Sequence, residues 1–333
     1  MQDITDYKEG TPVKLDLKDK KILFELDFNA RISYSALAKK VGLSKQGAEY
    51  KLKNLMKKGV IKGFYPVINV PKLGYLPYCR LLVTLQNLTE ERQREIIDYL
   101  ISHDKVFWLF SMQGPYDLLI DIWVKSITEF KDFTEELESK FGENIKGKSE
   151  NITTDVIHYQ HRYLLGTKET GEIHLKETSE RIEVDELDKK ILHILCSEGR
   201  IALINVAKKI GESAKVIAYR IKNLEKKKVI EGYRPIIDYG KIGFTYYKLF
   251  ISLNRISKEE IAKLKSYIRN NPLVIYIVEG IGFPGDLDIE LMIKSNQQLF
   301  DFIKDLKFKF PALVGEYQTV IFMDTLKVKY LPF

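Results

Sequence analysis

This sequence predicts an α+β fold: two copies of an N-terminal winged helix-turn-helix, each followed by a βαββαβ ferredoxin-like domain, arranged as a pseudo-dimer. Three observations carry the prediction. The chain repeats itself at an offset of 169 residues, each copy opens with three short capped helical segments, and each closes with alternating strand and helix patterns. Asp16–Leu23 reads DLKDKKIL and Asp185–Leu192 reads DELDKKIL. From Asp16 to Tyr75 roughly 27 of about 60 gap-free pairs are identical, far above chance. The repeat unit is half the protein, so the chain is a duplicated two-domain module and not a solenoid.

Asp16 is placed to cap a first helix whose apolar stripe is Leu17, Ile22, Leu23 and Leu26, with Asp19 in its first turn. Ser33 caps a second helix carrying Leu37, Ala38 and Val41, and Gly42 ends it, as a glycine after a helix does. Ser44 caps a third, with Ala48, Leu52 and Leu55 at i, i+4 and i+7. Val60–Ile68 then reads as two short strands around a turn, punctuated by Gly63 and Pro66. Helix, helix, tight turn, helix and small wing make a winged helix-turn-helix. Asp185, Gly211, Ser213, Ile217, Ile221 and Leu224 repeat the pattern in the second copy.

Charge is concentrated on the third helices. Residues 44–61 hold five lysines and one acid, and residues 213–230 hold six basic residues and one acid. Their excesses of +4 and +5 together exceed the whole chain's +7. A cationic patch on the helix that such a motif lays in the major groove is the electrostatic footprint of DNA binding. Lys45, Gln46, Glu49 and Tyr50 occupy the turns from which side chains reach base edges, with Gln46 matched to adenine and Lys45 to guanine. Lys51, Lys53, Lys57 and Lys58 are phosphate candidates. In the second copy Lys215 and Tyr219 are base-proximal, and Arg220, Lys222 and Lys226 face phosphates. Tyr50 and Tyr219 have an alternative as packing residues. Gly47 weakens the first reading helix, and Glu212 and Glu231 flank the second, so the two heads are expected to differ in strength.

The second half of each copy supplies the order βαββαβ. Strand patterns cover 78–86, 105–112, 118–124 and 151–163, with helices over 90–101 and 127–141. The second copy places them at 246–253, 258–269, 273–279, 286–293, 297–310 and 313–324. Helices cover only one face of such a sheet, and the nearest cover for the other is the sister copy. The expected boundaries are a polar tail at 1–15, helix-turn-helix at 16–75, ferredoxin-like domain at 76–165, an exposed linker at 166–182, helix-turn-helix at 183–244 and ferredoxin-like domain at 245–333.

Winged helix followed by βαββαβ resembles the Lrp/AsnC, or feast/famine, family of transcriptional regulators. Leu15–Leu23 resembles that family's opening "LDxxDxxIL", residues 31–38 resemble its "R-x-s-x-x-x-L-A", and Gly59–Phe64 resembles "GVIxGY". Gly114 and Asp117 resemble the GxxD turn of its ligand-sensing (RAM) domain. The resemblance covers Leu15 to about Tyr163 and Val184 to about Leu331. It implies a cytoplasmic regulator whose partner is double-stranded DNA. Because family members carry one copy and dimerise through their sheets, this chain looks like a covalent dimer, with further self-association open. It also implies an amino acid or other small effector at Gly114, Tyr116 and Asp117, and at Gly282 and Asp286. The second copy departs from the motif, with Phe283 in the place of Gly114. The alternative is that these residues only turn a hairpin, which the aspartate caps.

No cofactor, metal or catalytic apparatus is expected. Two cysteines make no disulfide framework. Residues 1–12 lack an apolar signal-peptide core, and no apolar run suits a membrane span. His158 and His161 are spaced for opposite faces of a strand, poor for one metal, and are expected as surface or interface groups. Gly280, Gly282 and Gly285 form G-x-G-x-x-G in a hairpin, not at the strand-to-helix turn that holds phosphate. Two other functions remain: a fused haem-pathway (sirohaem) decarboxylase-like enzyme with His158 or His161 near its substrate, and a small-molecule sensor or scaffold without DNA binding.

Overall fold

In the computed structural model the described residues are 12–168, 171–254 and 257–333; most of the expected tail, residues 1–11, lies outside them. Helices α1 (Leu17–Leu26), α2 (Tyr34–Val41) and α3 (Lys45–Lys57) lead into strand β1 (Ile61–Ile68). The caps fall where the sequence puts them. Asp16 and Asp19 form a reciprocal capping box, and the Ser33 and Ser44 hydroxyls accept the amides of Ala36 and Gly47. Gly42 is left-handed, at φ 67°. Leu17 departs from the expected stripe and is exposed.

The first ferredoxin-like unit runs β2 (Cys79–Leu85), α4 (Glu90–Ser102), β3 (Val106–Gln113), β4 (Leu118–Ile122), α5 (Ile127–Phe141) and β5 (Ile145–Tyr159). Residues 166–182 are not a free linker: β6 (Glu172–Lys176) pairs antiparallel with β5 and buries Ile173. The unpaired edge of β5 and the buried isoleucine outweigh the segment's polar composition. The second copy follows as α6 (Glu186–Ser197), α7 (Leu203–Ile210), α8 (Ala214–Lys226), β7 (Ile230–Ile237), β8 (Thr245–Leu253), α9 (Lys258–Arg269), β9 (Val274–Ile281), β10 (Leu287–Ile293), α10 (Asn296–Lys309) and β11 (Val314–Val328).

The two ferredoxin-like sheets close on each other. Strand order is β2-β4-β3-β11-β8-β10-β9-β5, and β5 also pairs with β2, so eight strands form a ring with β6 on its flank. Closure removes the sheet edges that a single copy would expose. Helices α4 and α5 pack Ile96, Leu100, Phe130 and Phe133 on one sheet, and α9 and α10 pack Leu264, Ile268, Phe302 and Leu306 on the other.

Inside the ring lies an ionic network that the sequence reading missed. Arg80 grips Asp121 through two bonds of 2.7 and 2.9 Å and reaches Asp288 at 3.1 Å. Lys248 bonds Asp288 at 2.6 Å and Glu290 at 2.7 Å, and the Tyr246 hydroxyl donates to Glu290. All five charged groups are no more than 2% exposed. Burial raises the carboxyl pKa of Asp121 and of Asp288 above the ordinary aspartate value.

Candidate nucleic-acid interface

The wing is not the two-stranded hairpin the sequence suggested. β1 is one strand and pairs antiparallel with β7 of the other copy, with Tyr65 opposite Arg234. These two residues are equivalent under the repeat, so the ladder has a local two-fold axis between them. Reciprocal bonds continue the symmetry. The Arg31 guanidinium donates to the Gly199 carbonyl at 2.8 Å, and that of Arg200 donates to the Ala30 carbonyl. The Val13 amide meets the Lys241 carbonyl at 2.7 Å, and the Ile182 amide meets the Lys72 carbonyl at 2.8 Å. The two helix-turn-helix units are thus one rigidly joined pair.

Each reading helix presents the same stripe. On α3, Ala48, Leu52 and Leu55 are buried, while Gln46, Tyr50, Lys53 and Lys57 stand exposed at i, i+4, i+7 and i+11. On α8, Ile217, Ile221 and Leu224 are buried, and Lys215, Tyr219, Lys222 and Lys226 occupy the equivalent exposed positions. Tyr50 is 72% exposed and Tyr219 70%, which overturns their packing alternative. Lys45 and Lys58 are exposed at the two ends of α3. Glu49 lies beside the stripe and pairs with Lys53 at 2.8 Å, which holds the Glu49 carboxyl below its ordinary pKa.

Lys51 and Arg220 are placed differently from their neighbours. Lys51 bonds Asp16 at 2.6 Å and Asp19 at 2.9 Å. Arg220 bonds Asp185 at 2.7 Å and lies 3.4 Å from Asp188. Each cation ties its reading helix to the capped N-terminus of the copy's first helix. The bond from Lys51 holds the Asp16 carboxyl below its ordinary pKa, and the bond to Asp185 raises that of Arg220. Both were expected at phosphates; in this structure each pairs with acids at the capped start of its own copy's first helix.

The residues expected at the effector site serve turns and seams. The Asp117 carboxylate accepts the Leu85 amide at 2.6 Å, and that of Asp286 accepts the Leu253 amide at 2.6 Å. Gly114 has φ 141°, and a Cβ there would stand 2.9 Å from the Thr319 carbonyl of β11. Gly282, at φ 82°, abuts the Glu150 carbonyl of β5, and its own carbonyl accepts the Ser149 hydroxyl at 3.1 Å. Tyr116 packs partly buried against the core. Both glycines therefore sit where one copy's hairpin crosses the other copy's strand.

His161 is buried and His158 partly buried, both against residues of the other copy, which is the interface alternative of their expected location. Burial lowers both imidazole pKa values, that of His161 to about 4. Arg234, between them, pairs with Asp27 at 2.6 Å and donates to the Tyr276 hydroxyl at 2.9 Å and to His158 Nδ1 at 3.3 Å. The repeat puts Tyr65 and Cys196 where Arg234 and Asp27 stand, so the buried ion pair occupies one side of the axis only.

Comparison with known proteins agrees with this architecture. Residues 15–62 match the family described as winged helix-turn-helix DNA-binding, and residues 184–225 match the AsnC-type helix-turn-helix domain. An uncharacterised HTH-type transcriptional regulator of Pyrococcus furiosus is 31% identical over 144 residues, which are 43% of this chain and 93% of that protein. The transcriptional regulator AzlB of Bacillus subtilis is 30% identical over 121 residues, 36% of this chain and 77% of that protein. Among solved structures, the siroheme decarboxylase NirDL superposes with a TM-score of 0.62 over 95% of this chain and 94% of its own, at 13% identity. At that identity the likeness is one of fold.

Proposed function

The chain belongs to the Lrp/AsnC family of transcriptional regulators, and from that premise we propose a sequence-specific DNA-binding regulator with both reading heads on one polypeptide. The observation that carries this reading is the exposed stripe repeated on α3 and α8, on two heads locked by the β1–β7 ladder. Lys45, Gln46, Tyr50, Lys215 and Tyr219 face base edges, with Glu49 beside them. Lys53, Lys57, Lys58, Lys222 and Lys226 neutralise phosphates. Lys51 and Arg220 hold the reading helices in place. Two linked heads make the second contact intramolecular and raise avidity without new contacts. The dyad favours an operator with two related half-sites.

Selection of a random duplex library at two salt concentrations tests the reading. A two-part motif with a steep salt dependence is the expected result. A one-part motif would assign DNA reading to a single head, and absence of enrichment at low salt would overturn the proposal. In this reading the ferredoxin-like barrel senses a small effector, with an amino acid as the first class to test. A change in operator affinity on adding amino acids, altered by Gly114→Ala, would support it.

The decarboxylase reading has the likeness in fold to NirDL in its favour. Against it, the cavity beside His158 measures about 90 Å³, well under the several hundred Å³ of ordinary ligand pockets. Uptake of a tetrapyrrole by the purified chain would restore it.

A further inference from the structure

The duplication makes each head a reference for the other. At the 169-residue offset, none of the first five positions of α3, Lys45 to Glu49, is repeated in α8, which reads Ala214, Lys215, Val216, Ile217 and Ala218 there. The residues beyond return to agreement. Tyr50, Lys53, Asn54, Leu55 and Lys57 recur as Tyr219, Lys222, Asn223, Leu224 and Lys226. The caps also agree, with the Ser44 hydroxyl accepting the Gly47 amide at 3.0 Å and that of Ser213 accepting the Val216 amide at 3.2 Å. The heads thus share a helix start and phosphate-facing cations, and differ in the turn from which side chains reach base edges.

Packing does not call for that difference. Ala48 and Ile217 are buried, whereas Gln46 and Lys215 stand exposed at the same place in the stripe, one turn before the shared tyrosine. Their chemistry differs in kind. The Gln46 carboxamide is donor and acceptor, which matches adenine N6 and N7, while the Lys215 ammonium only donates, which matches guanine O6 and N7. Beside Lys215, Val216 is 36% exposed where the first head has Gly47, adding an apolar group of the kind that contacts a thymine methyl. The β1–β7 ladder and the reciprocal Arg31 and Arg200 bonds hold the heads about one axis. The heads can therefore exchange half-sites only if the whole chain turns round on the duplex.

We propose that the operator is directional: one half-site carries A·T at the base pair read by Gln46, the dyad-related position carries G·C read by Lys215, and the chain docks in one orientation. This rests on the DNA-binding reading above and deepens it. Two identical heads would read both half-sites alike, and the duplicated chain escapes that constraint. Turning the chain round presents two wrong base pairs at once. At about tenfold for each, the reversed orientation is weaker by about a hundredfold.

The test selects a random duplex library with the full unaltered chain, with Gln46→Lys and with Lys215→Gln. Both residues are exposed, so the variants keep the fold, which urea unfolding checks. The unaltered chain is expected to enrich a two-part motif with A·T and G·C at dyad-related positions. Gln46→Lys should change that A·T to G·C and leave the other half-site as it was, and Lys215→Gln should change that G·C to A·T. Fluorescence anisotropy then compares the selected duplex with one in which only these two base pairs are exchanged between half-sites. The unaltered chain should bind the exchanged duplex about a hundredfold more weakly, and the double variant Gln46→Lys with Lys215→Gln should reverse the preference. A two-part motif with the same base pair at both positions, or equal affinity for the two duplexes, would overturn the directional operator and leave the two-headed regulator standing. A one-part motif would overturn it through the loss of one reading head. Absence of enrichment at low salt would overturn it together with the DNA-binding reading.

Discussion

Lys51 and the pair Lys57–Lys58 sit on or just beyond the same helix, yet the structure gives them opposite roles, and salt dependence separates them. Five proposed phosphate contacts, Lys53, Lys57, Lys58, Lys222 and Lys226, are exposed. At about 0.9 in log K per log salt for each phosphate neutralised, all five give a slope of about −4.5. A fourfold rise in salt then weakens binding by about 500-fold. Lys57→Gln with Lys58→Gln should flatten the slope by about 2, so the same rise costs only about 40-fold. Lys51→Met removes a cation already engaged by Asp16 and Asp19. It should leave the slope unchanged and lower stability by up to about 1 kcal/mol, the range of a surface pair. Fluorescence anisotropy on the selected duplex at four or five potassium chloride concentrations gives the slopes, and urea unfolding gives the stabilities. A flatter slope for Lys51→Met, with none for the double variant, would refute the assignment of structural and DNA-facing cations.

Acid should weaken the fold through His161, whose pKa falls from 6.5 to about 4 on burial. The unfolded chain binds the proton first, so stability is intact above about pH 6.5 and declines toward pH 4 by about 3 kcal/mol; His161→Gln should remove most of that slope in urea titrations. Asp27→Ala leaves the buried Arg234 guanidinium unpaired and should cost about 3–5 kcal/mol. Asp27→Cys with Arg234→Tyr, which copies the residues across the axis, should unfold at higher urea than Asp27→Ala. A Cβ at Gly280 would stand 2.1 Å from the Ile152 carbonyl, so Gly280→Ala should lower stability by more than about 2 kcal/mol. Burial pushes the Cys79 and Cys196 thiols up to about 12, and both should resist Ellman's reagent at pH 8 until the chain is unfolded.

Much of the candidate interface was legible because its signals are local. Ser44 and Ser213 cap the reading helices, and the buried faces Ala48–Leu52–Leu55 and Ile217–Ile221–Leu224 keep helical spacing. The exposed stripes then follow by elimination. The pairing of Lys51 and Arg220 was not legible because their partners, Asp16 and Asp185, lie 35 residues away, and lysine or arginine on a basic helix carries no mark of its pairing. The barrel network was hidden differently. Arg80, Asp121, Lys248, Asp288 and Glu290 sit at inward positions of apolar strands, where alternation alone reads them as solvent-facing.

Repetition at 169 residues, the capped helices and the βαββαβ order fixed the two modules and their number, since each depends on residues close together in sequence. Which strand closes which edge did not depend on such residues. Pairings β3–β11, β5–β9 and β1–β7 join the copies, and β6 turns an expected linker into a strand. Those choices depend on unpaired backbone groups and buried side chains meeting across more than a hundred residues. The asymmetry also appeared only there. Tyr65 against Arg234, and Cys196 against Asp27, are ordinary differences between repeats until a shared axis sets each beside its counterpart and the buried ion pair falls on one side alone.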